Sequence, residues 1–141
     1  MAGNTTLTII KPDAFGAGKA GKIIALLEEK GFTVKAARVM QMTKAQAGEF
    51  YAIHRERPFY GELVQFMTSG PCMPLVLEKA GAVSALRDAI GATDPAEAAA
   101  GTVRKLYAES KGRNAIHASD SDENAQREGR FFFAETDLLW G

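Results

Sequence analysis

The feature that most constrains this chain is the order of its short apolar runs, in which strand-like and helix-like periods alternate, but not one for one. Thr6 to Ile10 is a β-branched run that stops at Lys11-Pro12, because proline has no amide donor and disfavours helical geometry in the residue before it. This predicts a first strand, followed by a loop through "DAFGAGKAG". "KIIALLEEKG" sets Ile23, Ile24, Leu26 and Leu27 on one face and stops at Gly31, the pattern of an amphipathic helix. "FTVKAARVMQM" alternates as a second strand, and Thr43 is placed to cap a helix through "KAQAGEFYAIH" that Arg57-Pro58 terminates.

The second half continues in the same manner. "YGELVQFM" suits a short helix, "PLVLE" a third strand and "AVSALRDAIG" another helix. Ala92 to Gly101 is rich in alanine, a helix former, but its proline and flanking glycines predict a structured loop. "NAIH" makes a short fourth strand, and Asp120 with Glu123 gives a capping-box-like start to "DENAQREG", which Gly129 ends. Four strands with helices between only some of them predict an α/β chain of the α+β kind. The expected arrangement is a ferredoxin-like split βαβ, with a four-stranded antiparallel sheet covered by helices.

Size and charge narrow the function. At 141 residues the chain fits a single domain over 1–141, large enough to bury a core without metal or disulfide staples. Lys+Arg and Asp+Glu both total 17, so no basic excess marks a dedicated nucleic-acid surface, and any anion site must be local. The single Cys72, among apolar neighbours, excludes an internal disulfide and reads as buried core. The start "MAGNTTLTIIKPD" lacks a basic n-region and an apolar h-region. No apolar run approaches the ~20 residues of a membrane span, and a cytoplasmic protein with no membrane partner is expected.

"GAGKAGKI" imitates a phosphate-binding P-loop through Gly16 and Gly21-Lys22, but Ile23 stands where the magnesium-binding hydroxyl is required. A glycine-rich turn before a helix explains it. His117 in "GRNAIHASDSDENA" is different. A lone histidine is most often surface or satisfied core, yet this one ends a short strand just before a helix N-terminus, where unpaired amides favour an anion. A neutral imidazole there can attack phosphorus and hold the group as a phosphoramidate, splitting one transfer into two. Holding a polyphosphate needs cations and hydroxyls. Lys11, Arg87, Thr93 and Arg104 are candidates, although composition does not single them out among 17 basic residues.

"GRNAIHASDSDENA" closely resembles the active-site signature of nucleoside diphosphate kinases. "TIIKPDA", "FYAIHRERPFYGELVQFMTSGP", "GATDPAEAA" and "GTVR" are similar to the family's other blocks, in the same order and at similar spacing. The resemblance covers almost the whole chain, and five ordered blocks are hard to obtain by chance.

The resemblance implies a phosphotransferase that moves the γ-phosphoryl of a nucleoside triphosphate, chiefly ATP, to nucleoside diphosphates by ping-pong kinetics. His117 matches the nucleophile that becomes the pros-phosphohistidine, and Ser119 and Glu128 match the pair that orients it. Lys11 matches the phosphate-binding lysine, with Tyr51 beside it. Arg87, Thr93 and Arg104 match the clamp on the diphosphate, and Asn114 matches the residue that binds the sugar. Phe59 matches the ring on which the base stacks, with Leu63 near it; a stacked π-face tolerates every base. Taken singly, Phe59, Tyr51 and Leu63 are also ordinary core at helical spacing. The implied cofactor is Mg2+, held mainly by the nucleotide phosphates and reached by Asp120 through water. A homo-oligomer, tetramer or hexamer built from dimers, is implied as well. The tail "FFFAETDLLWG" carries large apolar residues that a partner would cover.

A non-catalytic module of the same fold would be expected to have lost some of Lys11, Arg87, Arg104, Asn114 or His117, and none is missing. Ala118 stands where the family commonly has glycine, which would add a methyl at a tight turn. Lys111 occupies an often apolar place, and Ala100 replaces a proline common before the Gly-Thr pair. His54 is expected to serve structure or surface.

Overall fold

The computed structural model describes residues 3–140; Met1, Ala2 and Gly141, which belong to the terminal stretches read above, lie outside the described residues. Strand β1 (Thr5–Ile10) forms as expected from its β-branched run and is central, pairing antiparallel with β3 (Met73–Glu78) on one side and β4 (Ile116–Ala118) on the other. β2 (Thr33–Ala37) pairs antiparallel with β3, giving the order β2-β3-β1-β4. This is the four-stranded antiparallel sheet expected of the alternating pattern. Residues 6–10 are all buried, because β1 is covered on both faces and its side chains alternate between two cores.

One core contains Ile10, Leu75 and Leu77 with Ile23 and Leu27 of α2 (Ala20–Glu29) and Leu86 and Ile90 of α5 (Ala82–Ile90). The other contains Leu7, Ile9 and Val76 with Ala47 and Phe50 of α3 (Lys44–Phe50), Met67 of α4 (Tyr60–Met67) and Phe132 of α7 (Asp122–Phe132). Cys72 is buried in this second core, as its neighbours implied. Each fully buried Leu or Ile contributes about 1.5–3 kcal/mol relative to exposure.

The local elements differ from expectation where the chain contacts itself at a distance. "DAFGAGKAG" is not all loop: Pro12–Gly16 forms the short helix α1, with proline at the first helical position, where its missing amide hydrogen costs nothing. β2 ends at Ala37, with a bulge at Lys35 and a lone bridge from Met40 to Cys72, so the alternation through Met42 overstates the strand. Thr43 caps α3 in a reciprocal box with Gln46, but the helix stops at Phe50 and Ala52–His54 tightens to a 3-10 turn. Residues 92–101 are irregular, as expected. "GTVR", read only as a block of the family, leads into the helix α6 (Val103–Tyr107), capped by Thr102.

The last helix also departs from the reading. Its cap is Ser121, whose hydroxyl accepts from the Asn124 amide, and not Asp120; the Asp120 carboxylate instead accepts from the Asn124 side chain. It runs through Gly129 to Phe132 because Gly129 packs its open face against Val76 of β3, where tertiary contact outweighs the weak helix propensity of glycine. The tail is mostly self-covered. Phe132 and Phe133 are buried, while Leu139 and Trp140 remain 75% and 50% exposed. After α8 (Glu135–Leu138), the Trp140 indole donates to the Lys35 carbonyl at 2.9 Å, across the edge strand β2.

Candidate active site

His117 lies on the edge strand β4, opposite Ile9 of β1, and its backbone carbonyl accepts from the buried Thr8 hydroxyl at 2.6 Å. Its side chain is 19% exposed. The rings of Phe50 and Tyr51 stand edge-on to the imidazole, with centroids 5.5 and 6.2 Å away, so the α3 terminus walls one side. From the other side α7 supplies Glu128, whose Oε1 lies 2.8 Å from His117 Nε2 and accepts from the Ser119 hydroxyl at 2.7 Å. Ser119 and Glu128 are buried, which fixes the carboxylate in place.

A carboxylate only accepts, so Nε2 carries the ring proton toward Glu128 and Nδ1 keeps its lone pair. In the neutral ring the nitrogen left with a free lone pair is therefore Nδ1.

A second group of contacts joins the end of β1 to the start of β4. Lys11, the N-cap of α1, is buried, and its Nζ donates to Asn114 Oδ1 at 2.9 Å. Burial, then the neighbouring Arg104 charge, lowers the Lys11 pKa to about 8, with Asp13 opposing the fall. Arg104 on α6 is itself buried. Its guanidinium donates to three backbone carbonyls, those of Asn114 at 3.3 Å, Gly91 at 3.1 Å and Ile116 at 2.7 Å. Burial and then Arg87 lower its pKa to about 10. Gly91 has φ 87°, and a Cβ there would sit 2.6 Å from the Thr102 hydroxyl, so only glycine allows this turn to present its carbonyl to Arg104.

Arg87, exposed on α5, lines a cavity of about 340 Å³ with Gly91, Thr93, Thr102 and Arg104. Asp120 is also exposed. The hydrogen bond from Asn124 lowers its pKa, helped by the fields of Arg87 and His117, and it lines a surface cavity together with Arg87.

The structure thus brings together His117, Ser119, Glu128 and Tyr51 in one cluster, and Lys11, Asn114 and Arg104 in another, with Arg87, Thr93 and Asp120 along their rim. Tyr51 is found against His117. Its hydroxyl is buried with no hydrogen-bond partner, and burial, then Glu128, pushes its pKa far above the ordinary phenol range. Phe59 and Leu63 stand outside both bonded clusters. Phe59, 47% exposed, caps α4 and packs against the ring of His54, with centroids 5.5 Å apart; Leu63, one turn on, faces the second core. His54 is structural in this sense.

Sequence reading missed two members. Ala115 has φ 75°, the one positive φ on a non-glycine residue among those described, and its amide donates to Asp13 Oδ2 at 3.0 Å. The Pro-Asp start of a helix after a strand was the available signal for Asp13. The tight conformation expected at Ala118 is at Ala115 instead: Ala118 pairs with Thr8 in the sheet, where a methyl is accommodated.

Fold and site together define an α+β protein with a carboxylate-paired imidazole on a sheet edge and a buried lysine and arginine bonded to the chain that enters the same strand. The family model described as nucleoside diphosphate kinase matches residues 4–138, and the chain belongs to that family. The chain is 60% identical to the nucleoside diphosphate kinase of Chlorobium luteolum over 134 residues, 95% of this chain and 96% of that one. It is 53% identical to that of Gluconacetobacter diazotrophicus over 139 residues, 99% of each. Among solved structures, an orthorhombic crystal form of the Aquifex aeolicus nucleoside diphosphate kinase superposes with a TM-score of 0.94 at 46% identity, covering 96% of this chain and 99% of that one. A family protein from Babesia bovis superposes at 0.91 and 33% identity, covering 98% and 93%.

Proposed function

We propose that the chain is a nucleoside diphosphate kinase acting through a phosphohistidine at His117, a phosphotransferase for nucleoside tri- and diphosphates that maintains their pools. The observation that carries this reading is the His117–Glu128–Ser119 arrangement, which leaves Nδ1 free on the side chain of an edge strand. The Nδ1 lone pair attacks the γ-phosphorus, the bond to the β-phosphate oxygen breaks, and the nucleoside diphosphate leaves. A terminal oxygen of the acceptor diphosphate then attacks the same phosphorus, the N–P bond breaks, and the imidazole returns neutral.

Glu128 supports the positive charge that develops on the ring, and Ser119 holds the carboxylate. Lys11, with the protonated Tyr51 hydroxyl, and the clamp of Arg87, Thr93 and Arg104 place the polyphosphate in line and neutralise the transferring oxygens. Asn114 binds the sugar while held by Lys11. Phe59, with Leu63, offers a face for the base, and its exposure supports a selection by stacking that ignores base identity.

The metal is taken to be Mg2+. Among the described residues no group of three or more His, Cys, Asp or Glu could cage a metal, which fits a cation carried on nucleotide phosphates and met by Asp120 through water. It would supply charge neutralisation at the bridging oxygens.

The chain acts as one domain over 1–141. Among the described residues no helix is long and apolar enough to cross a membrane. The setting is taken to be cytoplasmic, where nucleoside triphosphates are made and used. A homo-oligomer built from dimers, tetramer or hexamer, is supported by the exposed apolar Val39, Leu139 and Trp140 beside the edge strand β2, which the Trp140 indole covers only at Lys35.

The test is incubation with labelled ATP and no acceptor. An acid-labile, base-stable phosphoprotein should form and discharge to any added diphosphate. H117A should form none while melting close to wild type, because the side chain is a partly exposed reagent. Retained transfer by folded H117A would refute the assignment.

A further inference from the structure

We infer that Asp13 is a positioning residue of this site: its carboxylate holds the Ala115 peptide in a positive-φ turn and so sets Asn114 and His117 on either side of it. The inference rests on the phosphohistidine reading above and adds a residue that reading does not use. The Ile116 amide donates to the Asn114 carbonyl at 2.9 Å and closes a γ-turn on Ala115 at φ 75°, a rare and strained conformation for alanine, so something outside the turn must hold it there. Two bonds do. The Ala115 amide donates to Asp13 Oδ2 at 3.0 Å, and the Ala115 carbonyl accepts from the Lys11 amide at 2.9 Å. Both polar groups of one buried residue are thus held by a three-residue stretch more than a hundred positions away in the sequence.

The location of the strained residue gives the clamp its purpose. Asn114 precedes Ala115 and accepts from Lys11 Nζ at 2.9 Å; Ile116 follows it and takes Arg104 Nη2 at 2.7 Å on its carbonyl; His117 is next. In an extended conformation at Ala115 the chain would enter β4 differently, and Asn114 and His117 would not both face the groups that use them. Strain of this kind persists where the surroundings over-determine it, and here the surroundings are the end of β1 and the start of α1. Asp13 could instead be only a first-turn acid for α1. However, its Oδ2 leaves that helix to bond a distant amide, and α1 is only five residues long. The carboxylate is also buried beside Lys11, where it supports the ammonium charge.

The experiment compares wild type, D13N, D13A and D13A/A115G, all as full chains. It measures the rate of phosphoenzyme formation per labelled site in a single turnover, kcat and KM for ATP, and the thermal midpoint. D13A should slow phosphoenzyme formation on the order of 10- to 100-fold, the scale of a misplaced reacting group, with kcat falling more than KM changes. D13N, whose amide oxygen still accepts from the Ala115 amide, should stay near wild type in rate per site at pH 7, where Lys11 is protonated, and the lost support of the Lys11 charge should show only as an alkaline limb moved to lower pH. Adding A115G to D13A should recover part of the loss, because glycine adopts this φ unaided. A merely structural carboxylate would change the melting point and the number of active sites, not the rate per site. D13A at the wild-type rate per labelled site, or D13N as slow as D13A, would overturn the role. If D13A does not fold, D13N decides: a rate near wild type supports the clamp and a hundredfold loss overturns it. Transfer by H117A in the same assay would instead overturn the phosphohistidine reading, and this role with it.

Discussion

Glu128 Oε1 lies 2.8 Å from His117 Nε2 and 2.7 Å from the Ser119 hydroxyl, so one carboxylate oxygen decides which ring nitrogen stays free. The carboxylate comes from a helix eleven residues beyond the histidine and is buried by the sheet that carries it.

Replacing Glu128 by Gln tests that relationship. The amide retains size but can turn a donor toward Nε2, and it no longer balances charge on the ring. The rate of phosphoenzyme formation should fall on the order of 10- to 100-fold, the usual cost of losing a partner that orients a reactive imidazole. Ser119→Ala removes one hydrogen bond to Glu128 and should cost less, about 0.5–1.5 kcal/mol in stability with a correspondingly smaller loss of rate. Single-turnover labelling with thermal melts separates the two. E128Q at the wild-type rate would rule out an orienting role.

The buried ammonium of Lys11 predicts an alkaline limit. Burial and Arg104 both favour the neutral amine, so the charge present at neutral pH is lost as pH rises through about 8. In the free enzyme this removes a phosphate partner, and kcat/KM should fall above that pH; a bound polyphosphate favours the ammonium, so kcat should hold to higher pH. Lys11→Arg should abolish this limb of the profile, since guanidinium stays charged. A kcat/KM profile for the wild type that is flat to pH 10 would exclude Lys11 as the titrating contact.

Arg104 is both clamp and strut. Its three bonds to the carbonyls of Gly91, Asn114 and Ile116 tie the loop at 91 to the entrance of β4. Arg104→Ala should therefore lower stability by about 1–3 kcal/mol through unpaired buried carbonyls and also raise the KM for nucleotides. Gly91→Ala should copy part of the loss, because its Cβ collides with Thr102 and φ 87° is strained for alanine. Denaturation midpoints and steady-state kinetics on both variants check this; an R104A protein as stable as wild type would contradict the strut.

What was legible in the chain was whatever one local period or one motif encodes. The β-branched run ending at Lys11-Pro12, the capping box at Thr43 and Gln46, and the four-strand alternation foretold the sheet and most helices, because propensity and hydrophobic period act over a few residues. The block around His117 likewise identified the residue to examine, and its likeness to a known family ordered Lys11, Asn114, Arg104, Ser119 and Glu128 before any geometry was known. The sequence by itself therefore determined the strands, most of the helices, the family and the list of candidate groups. Only the tertiary structure decided that Glu128 faces Nε2, that Arg104 braces three carbonyls, that helix α7 runs through Gly129, and that Asp13 grips Ala115. Each of these is a bond or contact between different elements of the fold, or a departure from local preference that such a contact sustains. Free energies of that kind are created by packing and desolvation once the sheet is assembled, and no short window of residues contains them.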